Sequence, residues 1–158
     1  MSIVLIGMPS CGKSTLGVLL AKKLGYRFVD CDLLIQEREG KLLHEIIAES
    51  GNEVNSSLTE KNAIIATGGS VVYGEEAMAN LKTLGKVVYL QIPYEEMCRR
   101  LGDFAHRGVI LRHGNTLLDM YNERAPLYEK YADITVNVSQ AELSDSLAKI
   151  AETLAALG

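Results

Sequence analysis

The stretch Gly7-Met8-Pro9-Ser10-Cys11-Gly12-Lys13-Ser14-Thr15 places a lysine and two hydroxyls directly after a turn bounded by glycines. Gly-x-x-x-x-Gly-Lys-Ser is the spacing of a loop that cradles phosphate groups. Its backbone from Gly7 to Lys13 must curl until successive N–H groups point inward at phosphate oxygens, and glycine tolerates the angles this needs. Lys13 would reach the β- and γ-phosphates and the Ser14 hydroxyl would ligate Mg²⁺, while Gly7, Pro9, Ser10, Cys11, Gly12 and Thr15 complete the nucleotide contact. Any strand-to-helix turn can contain glycine. Here the full pattern follows the β-branched run Ile3–Ile6 and precedes the apolar period of Leu16 to Leu24, which is the setting the mechanism requires.

The elements that must position this loop alternate along the chain. Strand-like runs fall at Ile3–Ile6, Arg27–Val29, Ala63–Ala66, Val87–Ile92 and Ile134–Val138, with helix-compatible segments between them. Such alternation implies an α/β protein, a parallel sheet with helices on both faces. The first helix runs from Lys13 to Leu24, with Leu16, Leu19, Leu20 and Leu24 on one face and Gly25 as its stop. Its positive dipole end points at the phosphate loop. Leu33–Glu39 and Leu42–Ser50 read as two short helices, followed by Glu75–Leu84, Tyr94–Leu101 and Thr116–Tyr131. Pro126 implies a kink or a fresh start in the last of these, which would turn Arg124 in a fixed direction. Ala141–Leu157 closes the chain with Leu143, Leu147, Ile150 and Leu154 inward.

In an open parallel sheet the ligand crevice lies beyond the carboxyl ends of the strands. Asp30-Cys31-Asp32, after the second strand, therefore falls near the phosphate loop. The two carboxylates could share the work of holding water on Mg²⁺ and contacting a substrate hydroxyl. The alternative is that Asp32 caps the helix at Leu33 while Asp30 sits in a turn. Gly68-Gly69 ends the third strand at the same edge, where bare backbone can donate to a ligand or simply make a tight turn. Arg99 and Arg100 stand at a helix C-terminus, which favours cations on structural grounds alone. The glycine-rich, basic stretch 102–114 reads as a mobile flap that could fold over phosphates. His44, His106 and His113 have no partner at ligand or triad spacing and read as surface residues.

Composition narrows the partners. A chain of 158 residues with 47% hydrophobic content is long enough for one domain with a real core. Sixteen basic against twenty acidic side chains leave a net charge of −4 with no basic run, so nucleic acid is not expected and a small molecule is. Cys11, Cys31 and Cys98 have no disulfide or zinc spacing, and reduced thiols fit a cytoplasmic protein. No apolar run approaches the roughly 18 residues of a membrane span and no secretory n-region precedes the first strand, so a soluble, unsecreted protein is expected.

The phosphate loop near the N-terminus, Asp30-Cys31-Asp32 after strand two, Ala66-Thr67-Gly68-Gly69 after strand three, arginines on the flap, and Arg124-Ala125-Pro126-Leu127-Tyr128 before strand five occur in one order. This set resembles the shikimate kinase family over nearly the whole chain. Adenylate-kinase-type enzymes would not be expected to carry Ala-Thr-Gly-Gly at strand three; gluconate-kinase-like proteins are closer competitors. The resemblance implies a three-layer P-loop fold with a five-stranded sheet in the order 2-3-1-4-5, one domain over residues 1–158, a lid at about 102–114 and a substrate-binding region at about 32–62. It implies ATP and Mg²⁺ as cofactors, a small hydroxy acid, shikimate, as substrate, no nucleic-acid or membrane partner, and a monomer. Lys13, Asp32 and Arg107 would be catalytic, and Ser14 and Asp30 would serve the metal. Asp32, Gly68, Gly69 and Arg124 would hold substrate, and Arg100 would stack on adenine.

The chain departs from the family pattern after Gly51, where Gly-Glu-x-x-Phe-Arg-x-x-Glu is usual. Here Gly51-Asn52-Glu53-Val54 passes to Asn55-Ser56-Ser57, without the Phe-Arg that clamps the substrate carboxylate or the glutamate behind it. About nine residues are missing by that measure, more than ordinary loop variation. Either they exist in the molecule outside these 158 residues, or the deletion is real and half of the clamp is gone. Ser70 replaces a third glycine, and Gly108 follows Arg107 where proline is common. Three activities fit: a shikimate kinase, a kinase of the same fold for another hydroxy acid or polyol, or a nucleotide-binding module without turnover. Lys13, Ser14, Asp30 and Asp32 together speak against the last.

Overall fold

The strand that leads into the phosphate loop, β1 (Ser2–Ile6), is buried at every position and lies in the middle of a five-stranded sheet. A computed structural model describes residues 1–33, 62–102, 116–138 and 143–157. β2 (Arg27–Asp30), β3 (Ala63–Ala66), β4 (Gly85–Gln91) and β5 (Ile134–Asn137) complete the sheet in the order β2-β3-β1-β4-β5, every pair parallel. The buried stretches Ile3–Ile6, Ala63–Ala66 and Val87–Leu90 of the central strands are apolar because helices cover both of their faces. The edge strand β5 instead alternates buried and exposed residues.

Helix α1 (Lys13–Leu24) packs on β2 and β3 and against α5 (Leu143–Leu157). Gly17 allows that close approach, since a Cβ there would lie 2.7 Å from the Phe28 ring. On the other face, α2 (Glu75–Leu84) packs against β1 and β4 and a 3₁₀ turn (Val71–Tyr73), and α4 (Leu117–Tyr131) rests on that turn and on β4. Helix α3 (Tyr94–Leu101) follows β4. The core gathers β1, β3 and β4 with Leu16, Leu20, Met78, Leu81, Met97, Met120, Tyr128 and Ile150.

Two expectations change. Leu24 was expected on the buried face of α1 but is exposed; Lys13, Leu16, Gly17, Leu20 and Ala21 form the covered stripe, and Leu24 stands on the final turn beyond it. Pro126 does not divide its helix, for α4 runs unbroken from Leu117 to Tyr131 with Met120, Arg124 and Tyr128 buried along one face. One missing N–H is offset by packing on both sides of it. The helices expected at 33–39 and 42–50, the flap at 102–114, His44, His106 and His113 lie outside the described residues apart from Leu33 and Gly102, as does the side chain of Leu143.

Helix α4 begins with a capping box that the Thr-x-x-Asp spacing could have announced. Thr116 Oγ1 accepts from the Asp119 amide at 3.2 Å, and Asp119 accepts from the Thr116 amide at 2.9 Å. Thr116→Ala should cost about 1 kcal/mol. The melting temperature should then fall by about 2 to 4 °C in a chain of this size. An unchanged melting temperature would show that the box contributes nothing.

Candidate active site

The phosphate loop needs unusual backbone at three places. Gly7 has φ 151° and Gly12 φ 97°, and Ser10, although not glycine, has φ 63°. A Cβ on Gly7 would lie 2.7 Å from the Leu90 carbonyl oxygen and 2.9 Å from Cys11 Sγ. Gly7→Ala should therefore cost about 2 kcal/mol through strain and crowding. Denaturant titration checks this, and a stability equal to the parent would contradict it.

Lys13 is buried at the start of α1 and its amine turns back into the loop. It donates to the carbonyls of Gly7 at 2.7 Å and Met8 at 2.8 Å, with Cys11 Sγ at 3.6 Å. Ser14, the next residue, donates through Oγ to Asp30 Oδ2 at 3.3 Å. Asp30 therefore has two tasks. While Oδ2 faces Ser14, Oδ1 accepts from the amides of Asp32 at 2.9 Å and Leu33 at 3.1 Å. This makes Asp30 the cap of the helical turn that opens at Cys31. The capping role considered for Asp32 thus belongs to its neighbour, because β2 ends on Asp30 and the helical turn opens at once with Cys31.

That arrangement releases Asp32 to face the glycine pair. Its Oδ1 lies 2.6 Å from where a Cβ of Gly68 would be. Burial, followed by the nearby Asp30 charge, raises the Asp32 pKa above the usual carboxylate range, and Lys13 opposes the shift. Cys31, between the two acids, is buried, and its thiol is pushed well up for the same reasons.

Gly69 is the meeting point of three elements. A Cβ there would fall 2.9 Å from Arg124 Nη1, on α4, and 3.2 Å from Pro9 Cδ, on the phosphate loop. A side chain at either position would push the Asp32 carboxylate or the Arg124 guanidinium aside. Thr67 ties the end of β3 to β1 by donating its hydroxyl to the Leu5 carbonyl at 2.8 Å. Ser70, where a third glycine was usual, has φ −88° and needs no glycine. Arg124 is only 3% exposed; its guanidinium lies over the Tyr73 ring, 5.4 Å from the centroid. Tyr128, one turn further along α4, donates to the Gly69 carbonyl at 2.6 Å. Sequence reasoning did not single out Tyr73, and it carried Tyr128 only within the Arg-x-Pro-Leu-Tyr motif without a role; their partners lie fifty-one and fifty-nine positions away.

Arg100 spans two ends of the site. Nη1 donates to the Ser10 carbonyl at 3.3 Å, Nη2 to the Val138 carbonyl at 3.2 Å, and Nε to Glu96 at 2.8 Å. Arg99 and Arg100 together hold the Glu96 carboxyl down to about 2. The structure therefore brings together Gly7, Pro9, Ser10, Cys11, Gly12, Lys13, Ser14 and Thr15 with Asp30, Asp32, Gly68, Gly69, Arg100 and Arg124. Arg107 lies outside the described residues, as does the junction at residues 54–55. Val54 and Asn55 are consecutive in the chain, so the Phe-Arg pair is absent from this stretch rather than left outside it.

Comparison with known proteins accords with this geometry. The family model described as shikimate kinase matches residues 9–155. A shikimate kinase of Clostridium botulinum (strain Okra / Type B1) is 37% identical, the match covering 94% of this chain and 93% of that one. The structure titled shikimate kinase from Acinetobacter baumannii in complex with shikimate superposes with a TM-score of 0.85 at 28% identity, over 98% of this chain and 93% of that one. Shikimate kinase from Aquifex aeolicus vf5 gives a TM-score of 0.81 at 34% identity, over 98% and 96%. With the phosphate loop, the paired acids and the glycine pair all at one edge of the 2-3-1-4-5 sheet, the chain belongs to the shikimate kinase family.

Proposed function

We propose that this chain transfers the γ-phosphoryl group of MgATP to the 3-hydroxyl of shikimate. The observation that carries the reading is the convergence on Gly69 of the phosphate loop, through Pro9, and a buried arginine, Arg124, with Asp32 against the adjoining Gly68. An anion-binding cation thus stands beside a phosphate-binding loop, with a carboxylate next to both. The related Acinetobacter protein was solved in complex with shikimate, which supports the same acceptor here.

Each residue has a task in that reaction. Lys13 exchanges the Gly7 and Met8 carbonyls for phosphate oxygens and balances the charge that develops on them. The Ser14 hydroxyl and the Asp30 carboxylate are hard oxygen donors in mutual contact, a set that fits Mg²⁺ held through few protein ligands. Bound there, Mg²⁺ would neutralise charge on the phosphates during transfer. Arg124 pairs with the substrate carboxylate while the Gly69 N–H donates to a substrate oxygen. Asp32, raised in pKa by burial and by Asp30, is a readier acceptor of the hydroxyl proton than an ordinary carboxylate. Little more is asked of a base, because the transition state is loose and positioning contributes most. By family likeness Arg107 approaches the transferred phosphate and Arg100 the adenine.

Residues 1–158 are read as one kinase domain that acts as a monomer. Three free thiols suit the cytoplasm, and among the described residues no helix is long and apolar enough to cross a membrane. The absent Phe-Arg pair favours a second reading in which the acceptor is another small hydroxy acid or polyol.

ADP release from MgATP decides between them, measured with shikimate and with a panel of other hydroxy acids and polyols. Turnover with shikimate well above the panel is expected. A better acceptor elsewhere in the panel would move the assignment to the second reading.

A further inference from the structure

Helix α4 brings two buried side chains, Arg124 and Tyr128, to the same glycine. The phenol of Tyr128 is fully buried, donates to the Gly69 carbonyl at 2.6 Å and stacks on Tyr89, ring centroids 5.1 Å apart and planes tilted by 34°. Gly68 and Gly69 carry no side chains that could hold their own peptide planes. Arg124 and Pro9 crowd the position a Cβ would take at Gly69, yet they do not fix its carbonyl. The Tyr128 hydroxyl does.

We propose that Tyr128 is a positioning residue for the acceptor substrate: by holding the Gly69 carbonyl it fixes the Gly69–Ser70 peptide and with it the backbone angles of Gly69 beside Arg124, so that the Gly69 N–H, on the preceding peptide, and the guanidinium meet one ligand together. The inference rests on the shikimate kinase reading and deepens it. The bond joins a helix to the end of a strand at the one point where phosphate loop, glycine pair and arginine touch. Without that hold the backbone angles of Gly69 are free to change, and a small turn there would swing its N–H away from the acceptor without disturbing Lys13 or Ser14, which sit on α1. Tyr89 provides an internal control. Its ring makes the same stack, but among the described residues its own buried hydroxyl has no hydrogen-bond partner, so removing it takes nothing from the site they form.

The test is steady-state kinetics of Tyr128→Phe, Tyr89→Phe and the parent, with shikimate and MgATP varied separately. Phenylalanine keeps the stack and removes one oxygen. Tyr128→Phe should lower kcat/KM for shikimate by about tenfold or more and leave the KM for MgATP within about twofold, because misplacement of a positioning group acts on the ligand it positions. Tyr89→Phe should leave both constants within about twofold, since it breaks no hydrogen bond. Replacing Tyr128 by 4-aminophenylalanine, which retains a donor toward the Gly69 oxygen, should recover most of the shikimate constant. A loss under about fivefold in Tyr128→Phe, an equal change in the MgATP constant, or no recovery with the amino analogue would overturn the positioning role, the expected loss being that of a misplaced group. A parent chain that fails to turn over shikimate would instead defeat the kinase reading, before any variant is compared.

Discussion

Replacing Lys13 with alanine is expected to lower kcat/KM for phosphoryl transfer by about a hundredfold to a thousandfold, the loss of about 3 to 4 kcal/mol typical of one donor to developing charge. The amine is buried at the N-terminus of α1, and its ligands before nucleotide arrives are the Gly7 and Met8 carbonyls. It therefore enters the reaction already desolvated and close to its target, which is what makes a single cation count. A second consequence can be read without catalysis. MgATP should raise the melting temperature of the parent by mass action and do so much less for the variant. ADP release and thermal melts with and without MgATP check both parts. A variant that keeps activity within about tenfold of the parent would place the chemistry elsewhere, since such a donor is worth more than that.

Asp32→Asn is expected to act in opposite directions on rate and stability. Removing a proton acceptor next to the acceptor alcohol should cost about a hundredfold or more in kcat. The same change should raise the melting temperature at neutral pH. Burial and the Asp30 charge lift the native pKa of Asp32 above its unfolded value. The native state then holds this proton more tightly than the unfolded state does, so stability falls as pH rises from the unfolded pKa through the native one. Above the native pKa the ionised carboxylate carries its full cost, and below the ordinary carboxylate range that cost is gone. Asparagine carries none at any pH. The stability advantage of the variant should therefore be largest near neutrality and shrink as the parent is acidified. Melting curves across that range test the sign, and an advantage that grew in acid would show that Asp32 is stabilised as a carboxylate.

The parts of the molecule that could be read from sequence are those where chemistry and local geometry coincide. The phosphate loop is contiguous, so its residue types and spacing carry its function directly. With its flanking strand and helix it is written in twenty-three successive residues, from Ser2 to Leu24. The strands were legible for a related reason, since β1, β3 and β4 are covered on both faces and read as apolar runs. What stayed hidden depended on where elements stop or on distant partners. Asp-x-Asp leaves open which carboxylate caps and which faces the pocket; the answer turns on a single residue of β2. Pro126 obeys a local rule that burial of Met120, Arg124 and Tyr128 overrides. Tyr128 closes the Arg-x-Pro-Leu-Tyr motif, but nothing near it in sequence points to Gly69.

The place of β1 in the sheet also bears on how the molecule is made. Ile3 pairs with Ile64 on one side, and Val4 with Val87 on the other. A nascent chain emerging at about 5 to 20 residues per second leaves this apolar strand without its two neighbours for several seconds. During that interval both of its edges are open to wrong pairing, and the curl from Gly7 to Lys13 has no sheet beneath it. The phosphate loop leaves the ribosome before β3 and β4, and the strand that carries it is held on both sides only once they have followed.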